Sequence, residues 1–111
     1  MLEAFWSVEF LVPTFGSYGA GVVVLENGTV RGGDSSYYYV GNFRVKDDVV
    51  IADVSINHYF GPLNNVFGNI QKTQVTLSGK IDYDTFDVSG QSQDLNIPII
   101  VRFKRIAELS A

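Results

Sequence analysis

Cysteine is absent from this chain, and histidine, tryptophan and methionine each occur once. Without cysteine, disulfides, thiolate catalysis and sulfur-based zinc sites are all excluded, as suits a reducing compartment. The lone histidine, His58, stands among scattered aspartates with no metal-ligand spacing, and no nucleophile, base and orienting acid form a motif around it. It reads as a strand-end packing residue, and neither an enzyme nor a metal or other cofactor is expected. Positive charge is sparse: eight Lys and Arg stand against twelve Asp and Glu, for a net charge of −4. Since nucleic acid is bound through clustered Lys and Arg, direct contact with it is not expected. The nearest thing to a basic patch is Arg102, Lys104 and Arg105, of which Arg102 and Lys104 share one strand face and read as the solvated side of a last strand. No apolar run approaches the roughly 20 residues of a membrane-spanning helix. The opening Met1-Leu2-Glu3-Ala4-Phe5-Trp6 lacks the basic and apolar regions of a secretory signal, which leads us to expect a cytoplasmic protein.

What the chain does contain is alternation. At 111 residues and 46% hydrophobic content, it is long enough for one domain, residues 1–111, with a real core. The stretch from Tyr18 to Val45 reads as three consecutive antiparallel strands. Asn27-Gly28 is a strong hairpin signal, because a type I′ turn needs positive φ at both central residues. Gly32-Gly33-Asp34-Ser35-Ser36 marks a tight bend. Before this stretch, Trp6, Val8, Phe10 and Val12 share one apolar face. Gly19 and Gly21, lacking side chains, make room for aromatics from neighbouring strands.

Farther along, Tyr37, Tyr39, Phe43 and Val45 point to the core. Asp47-Asp48 makes a two-residue connection that puts two carboxylates into water, and Val50, Ala52, Val54 and Ile56 form the next apolar face. Residues 57–74 break the pattern as a long loop rich in Gly and Asn, where Pro62 through Phe67 could form one helical turn over an open barrel end. Alternation returns in Val75, Leu77, Gly79 and Ile81, in Phe86, Val88 and Gly90, and in Leu95, Ile97, Ile99, Val101 and Phe103. Pro98 suggests an edge or a bulge.

Eight strands joined mostly by tight turns imply an all-β, up-and-down meander that rolls into a small closed or nearly closed barrel, with at most a short helical turn. A two-sheet sandwich is the alternative. Trp6, Phe10, Tyr37, Tyr39, Phe43 and Phe86 are expected inside, either filling a narrow interior or lining a site for one small apolar ligand. Outward apolar residues such as Phe5, Leu11, Ile51 and Ile100 could form a patch that a monomer rarely exposes.

Phe5-Trp6-Ser7-Val8-Glu9-Phe10, then Gly19-x-Gly21-Val22-Val23-Val24-x-x-Asn27-Gly28-x-Val30-x-Gly32-Gly33-Asp34-Ser35-x-x-Tyr38-x-x-Gly41, together resemble the GrlR family of negative regulators of type III secretion. The likeness covers about the first half of the chain; the second half shares strand pattern and length. The resemblance implies a lipocalin-like β-barrel, a homodimer without enzymatic activity that binds a transcriptional activator. In that family an exposed run of four acids on a loop between strands is associated with activator binding. The corresponding hairpin here, Lys46-Asp47-Asp48-Val49, has two acids, and Lys46, Asp47 and Asp48 are the candidate partner-binding residues. The alternative function is a calycin-like barrel that carries a small hydrophobic ligand.

Overall fold

Two tight turns fix the register of four strands. At the first, Asn27 (φ 52°) and Gly28 (φ 73°) both take the left-handed conformation, and the Gly28 carbonyl accepts a hydrogen bond from the Phe43 amide at 2.8 Å. At the second, Asp47 (φ 53°) and Asp48 (φ 64°) do the same. A left-handed pair matches the twist of the strands it joins, so each hairpin continues the sheet's coil instead of splaying it.

The computed structural model describes residues 2–110. Its strands are β1 (Ala4–Val12), β2 (Ser17–Glu26), β3 (Thr29–Gly33), β4 (Tyr37–Lys46), β5 (Val49–His58), β6 (Lys72–Lys80), β7 (Thr85–Ser92) and β8 (Pro98–Ala107). Each pairs with its sequence neighbour, and β8 returns to β1, so the eight-stranded antiparallel sheet is closed. The closing register runs from Trp6 opposite Arg105 to Leu11 opposite Ile100, with a slip between Phe5 and Trp6. Closure removes every sheet edge and rules out the sandwich.

The alternation places residues inside and outside largely as expected. Trp6, Val8, Val12, Tyr37, Tyr39, Val50, Val54, Ile56, Val75, Leu77, Phe86 and Val88 are buried in one core. The glycines of β2 serve the packing: a Cβ on Gly19 would lie 3.0 Å from Phe10 Cδ2, and one on Gly21 would lie 2.9 Å from the Tyr39 hydroxyl. Four points differ. Val45 has inward parity but lies exposed at the end of β4, beyond the reach of the core. Leu95 belongs to the connection before β8 and is exposed. Pro98 is the first residue of β8, where a missing N–H costs the ladder least. Residues 62–67 form no helical turn; a tight turn spans Asn65–Gly68 instead, with the Gly68 amide donating to the Asn65 carbonyl at 2.9 Å. Val66 and Phe67 are nonetheless buried over the barrel mouth.

The two ends of the barrel are built differently. One, the lid end, gathers the connections 13–16, 34–36, 59–71 and 93–97. The opposite end is plugged: the Phe86 and Phe103 rings stack 4.9 Å apart and Trp6 meets both edge-on. The Trp6 Nε1 donates to the Leu2 carbonyl at 2.8 Å. Arg105 turns inward with the parity of Phe103. Its guanidinium lies 4.7 Å from the Trp6 ring and 4.0 Å from the Tyr83 ring, and its side chain is 8% exposed. Arg102 does face solvent, where it grips the Asp87 carboxylate through Nε at 2.9 Å and Nη2 at 3.1 Å.

Candidate functional site

Three features are candidates: an interior cavity, the acidic hairpin and the outer wall. The cavity, about 60 Å³, lies between the aromatic plug and the lid. Its walls are almost wholly branched aliphatic, including Val23, Val30, Val54, Ile56, Val75, Leu77 and Ile99, with the Phe10 and Phe103 rings. Of the six residues expected to line it, Phe10 and Tyr39 do so. Trp6 and Phe86 belong to the plug. Tyr37 is engaged under the lid, its hydroxyl donating to the Ile70 carbonyl at 2.6 Å. Phe43 packs against the core at the plug end of β4 without reaching the cavity.

Polar groups meet the cavity only at its lid end, in Asp34, Tyr39 and Asn65. Asp34 organises that end. Its Oδ1 accepts from the backbone amides of Ser36 (2.9 Å) and Tyr37 (2.8 Å), which fixes the bend after the glycine pair. Its Oδ2 accepts the Tyr39 hydroxyl, and its carbonyl accepts the Tyr59 hydroxyl at 2.7 Å. Burial first, and then the hydrogen bond to Asp34, push the Tyr39 hydroxyl well above the ordinary tyrosine pKa, so it remains a donor. Burial also raises Tyr37. Across the mouth, the Ser17 hydroxyl donates to the Val66 carbonyl, and Asn65 Oδ1 accepts from the Phe67 amide at 2.9 Å. Sequence reading took Asp34 as bend chemistry and missed that its carboxylate also faces the interior; its place two residues beyond Gly32 was the available signal.

The acidic hairpin stands at the plug end, with Lys46, Asp47 and Asp48 all exposed. The Asp48 carbonyl accepts from the Ile81 amide at 2.8 Å. His58 closes β5, its Nε2 2.7 Å from the Gly61 carbonyl and its ring 5.2 Å from that of Tyr37. Among the described residues, no three His, Cys, Asp or Glu side chains gather where a metal ion could be held, and no helix is long and apolar enough to cross a membrane.

The outer wall is two-sided. Across β1 to β4 the outward positions fall into rows: Phe5, Val24, Arg31 and Val40 in one, and Ser7, Val22, Gly33 and Tyr38 in the next. Val22, Tyr38 and Val40 are each more than 40% exposed. Leu11 lies between Tyr18 and Ile100, all three exposed. On β5 to β7 the outward positions are mostly polar, as in Asp53, Thr76 and Gln91, with Val49 and Ile51 the apolar exceptions toward the plug end. No protein family model, and no curated protein to a significant degree, matches this chain.

Proposed function

We propose that this barrel is a non-enzymatic regulatory protein of the GrlR kind, a cytoplasmic homodimer that acts as a negative regulator of type III secretion by direct contact with a transcriptional activator. The observation that supports the reading is the two-sided outer wall, because the exposed Val22, Tyr38 and Val40 on β2 and β4, interrupted only by Arg31 and Ser7 in their rows, are the feature expected of a contact surface and not of a solvated wall. A standard interface takes about 800 Å² from each partner. The chain exposes 6283 Å², so one side of the barrel suffices for a second copy. In this reading the Asp47-Asp48 tip lies away from the lid and stays open to a basic surface on the activator, where complementary charge speeds encounter and favours the right partner.

The test is capture from the host by the tagged barrel, with bound proteins identified by mass spectrometry and the capture repeated with Asp47→Asn/Asp48→Asn. The expected result is a helix-turn-helix activator bound to the native chain and weakened in the double variant, more so at low salt. Capture of no transcription factor overturns the regulatory reading. Equal capture by both proteins removes the hairpin from the contact.

A further inference from the structure

We propose that the interior cavity is a binding site for a short alkyl molecule with one hydrogen-bond-donating head, an alkanol or an alkylamine, and that it rejects alkyl carboxylates. This stands apart from the reading of the outer surface. A water needs roughly 10–15 Å³ of such space together with two to four polar partners. The cavity's 60 Å³ therefore has room for roughly four to six water-sized groups, yet its walls offer polar partners only at the lid. Such a volume favours a small apolar body over solvent.

The head group follows from what the lid end can offer. A carboxylate has about four acceptor positions. Three at Asp34 are taken, by the Ser36 and Tyr37 amides and the Tyr39 hydroxyl. One acceptor position is left on Asp34, a residue that lines the cavity. Tyr39 directs its proton to Asp34, so toward a ligand its oxygen too presents a lone pair. A donor on the ligand matches both. An alkyl carboxylate brings only acceptors and a second negative charge into a poorly screened space. No cation stands in the loops to receive it: the connections 13–16, 34–36, 59–71 and 93–97 contain no Lys, Arg or His. The 65–68 turn roofs this end of the cavity. Val66 lines the cavity, its carbonyl is held by the Ser17 hydroxyl, and Gly61 and Gly68 on either side take positive φ.

The experiment is a methyl NMR titration of the intact chain with 1-butanol, butylamine and butyrate, and separately under xenon. Butanol and butylamine are expected to shift the Val54, Val75 and Leu77 methyls saturably, while butyrate at equal concentration leaves them in place. Val54→Leu/Val75→Leu, which fills the space, is expected to weaken butanol binding at least tenfold. Xenon needs only empty apolar volume, so it reports the cavity in the native chain even if the filled variant fails to fold. Methyls that xenon shifts but butanol does not, butyrate binding as well as butanol, or no response to any probe would each overturn the proposal.

Discussion

Thr73 and Ser92 are buried, and both hydroxyls turn to one carboxylate. Thr73 Oγ1 lies 2.6 Å and Ser92 Oγ 3.0 Å from Asp94 Oδ1, with 2.8 Å between the hydroxyls, and Ser92 Oγ also accepts from the Leu95 amide at 3.2 Å. The Thr73 hydrogen bond, ahead of the other causes, holds Asp94 below the ordinary carboxylate range. Thr73→Val removes one hydroxyl from this network while Ser92 keeps Asp94 and the Leu95 amide, so urea denaturation at neutral pH should show a loss of about 1 kcal/mol. The pH dependence has a definite sign. A carboxyl whose pKa is lower folded than unfolded contributes stability above its unfolded value, about 3.9, and that contribution is lost as pH falls through the folded value. Between neutral pH and about pH 3 the native chain should therefore lose more stability than Thr73→Val. Asp87, lowered by its hydrogen bond from Arg102, titrates in both proteins and cancels in the comparison. Equal acid sensitivity would show that Thr73 does not hold the Asp94 charge. At the lid, Tyr39→Phe deletes the hydroxyl donated to Asp34. A bond to a charged group is worth about 1.5–3 kcal/mol, and the same denaturation measurement should return a loss in that range.

Among the elements, the two hairpins make a natural comparison. Both connect their strands through two left-handed residues, but one uses Asn27-Gly28 and the other Asp47-Asp48. Placing a non-glycine residue in the left-handed region costs roughly 1–2 kcal/mol, and glycine escapes it. Asp47→Asn/Asp48→Gly should then raise the melting temperature by a few degrees; an unchanged or lower value would mean that the aspartate side chains stabilise the turn by some other contact. These hairpins were legible because their conformations are written in adjacent residues. Strand faces were legible for the same reason, since parity needs only a period of two. The lid was not: its path is set by Ser17 with Val66, Tyr37 with Ile70 and Tyr59 with Asp34, partners far apart in the chain. Residue parity also says which side chains point inward but not whether they touch. Phe10 therefore lines an opening while Trp6, on the same face of β1, closes a plug. Arg105 keeps the inward parity of Phe103 two residues earlier despite its charge.

At the scale of the whole molecule, the polarity of the wall decides how the barrel meets its surroundings. Apart from Val49 and Ile51, β5 to β7 carry mostly Asp, Asn, Ser, Thr, Gln and Lys outward, and their solvation needs no partner. β2 carries Tyr18, Ala20, Val22 and Val24 outward, and Tyr38 and Val40 of β4 extend the apolar area across the short β3. If a second copy covers this wall, sedimentation at micromolar concentration should give twice the 12.3 kDa of one chain, and the melting temperature should rise with concentration, since association stabilises by mass action. Val22→Glu/Tyr38→Glu should abolish both effects. These side chains are exposed in the single barrel, so the far-ultraviolet spectrum of the variant should stay that of an intact sheet. Burying two unpaired carboxylates against a partner is costly, while leaving them in water is not. A native chain that sediments as one copy at every concentration, with a melting temperature that does not move, would show that the apolar wall is not a self-association surface.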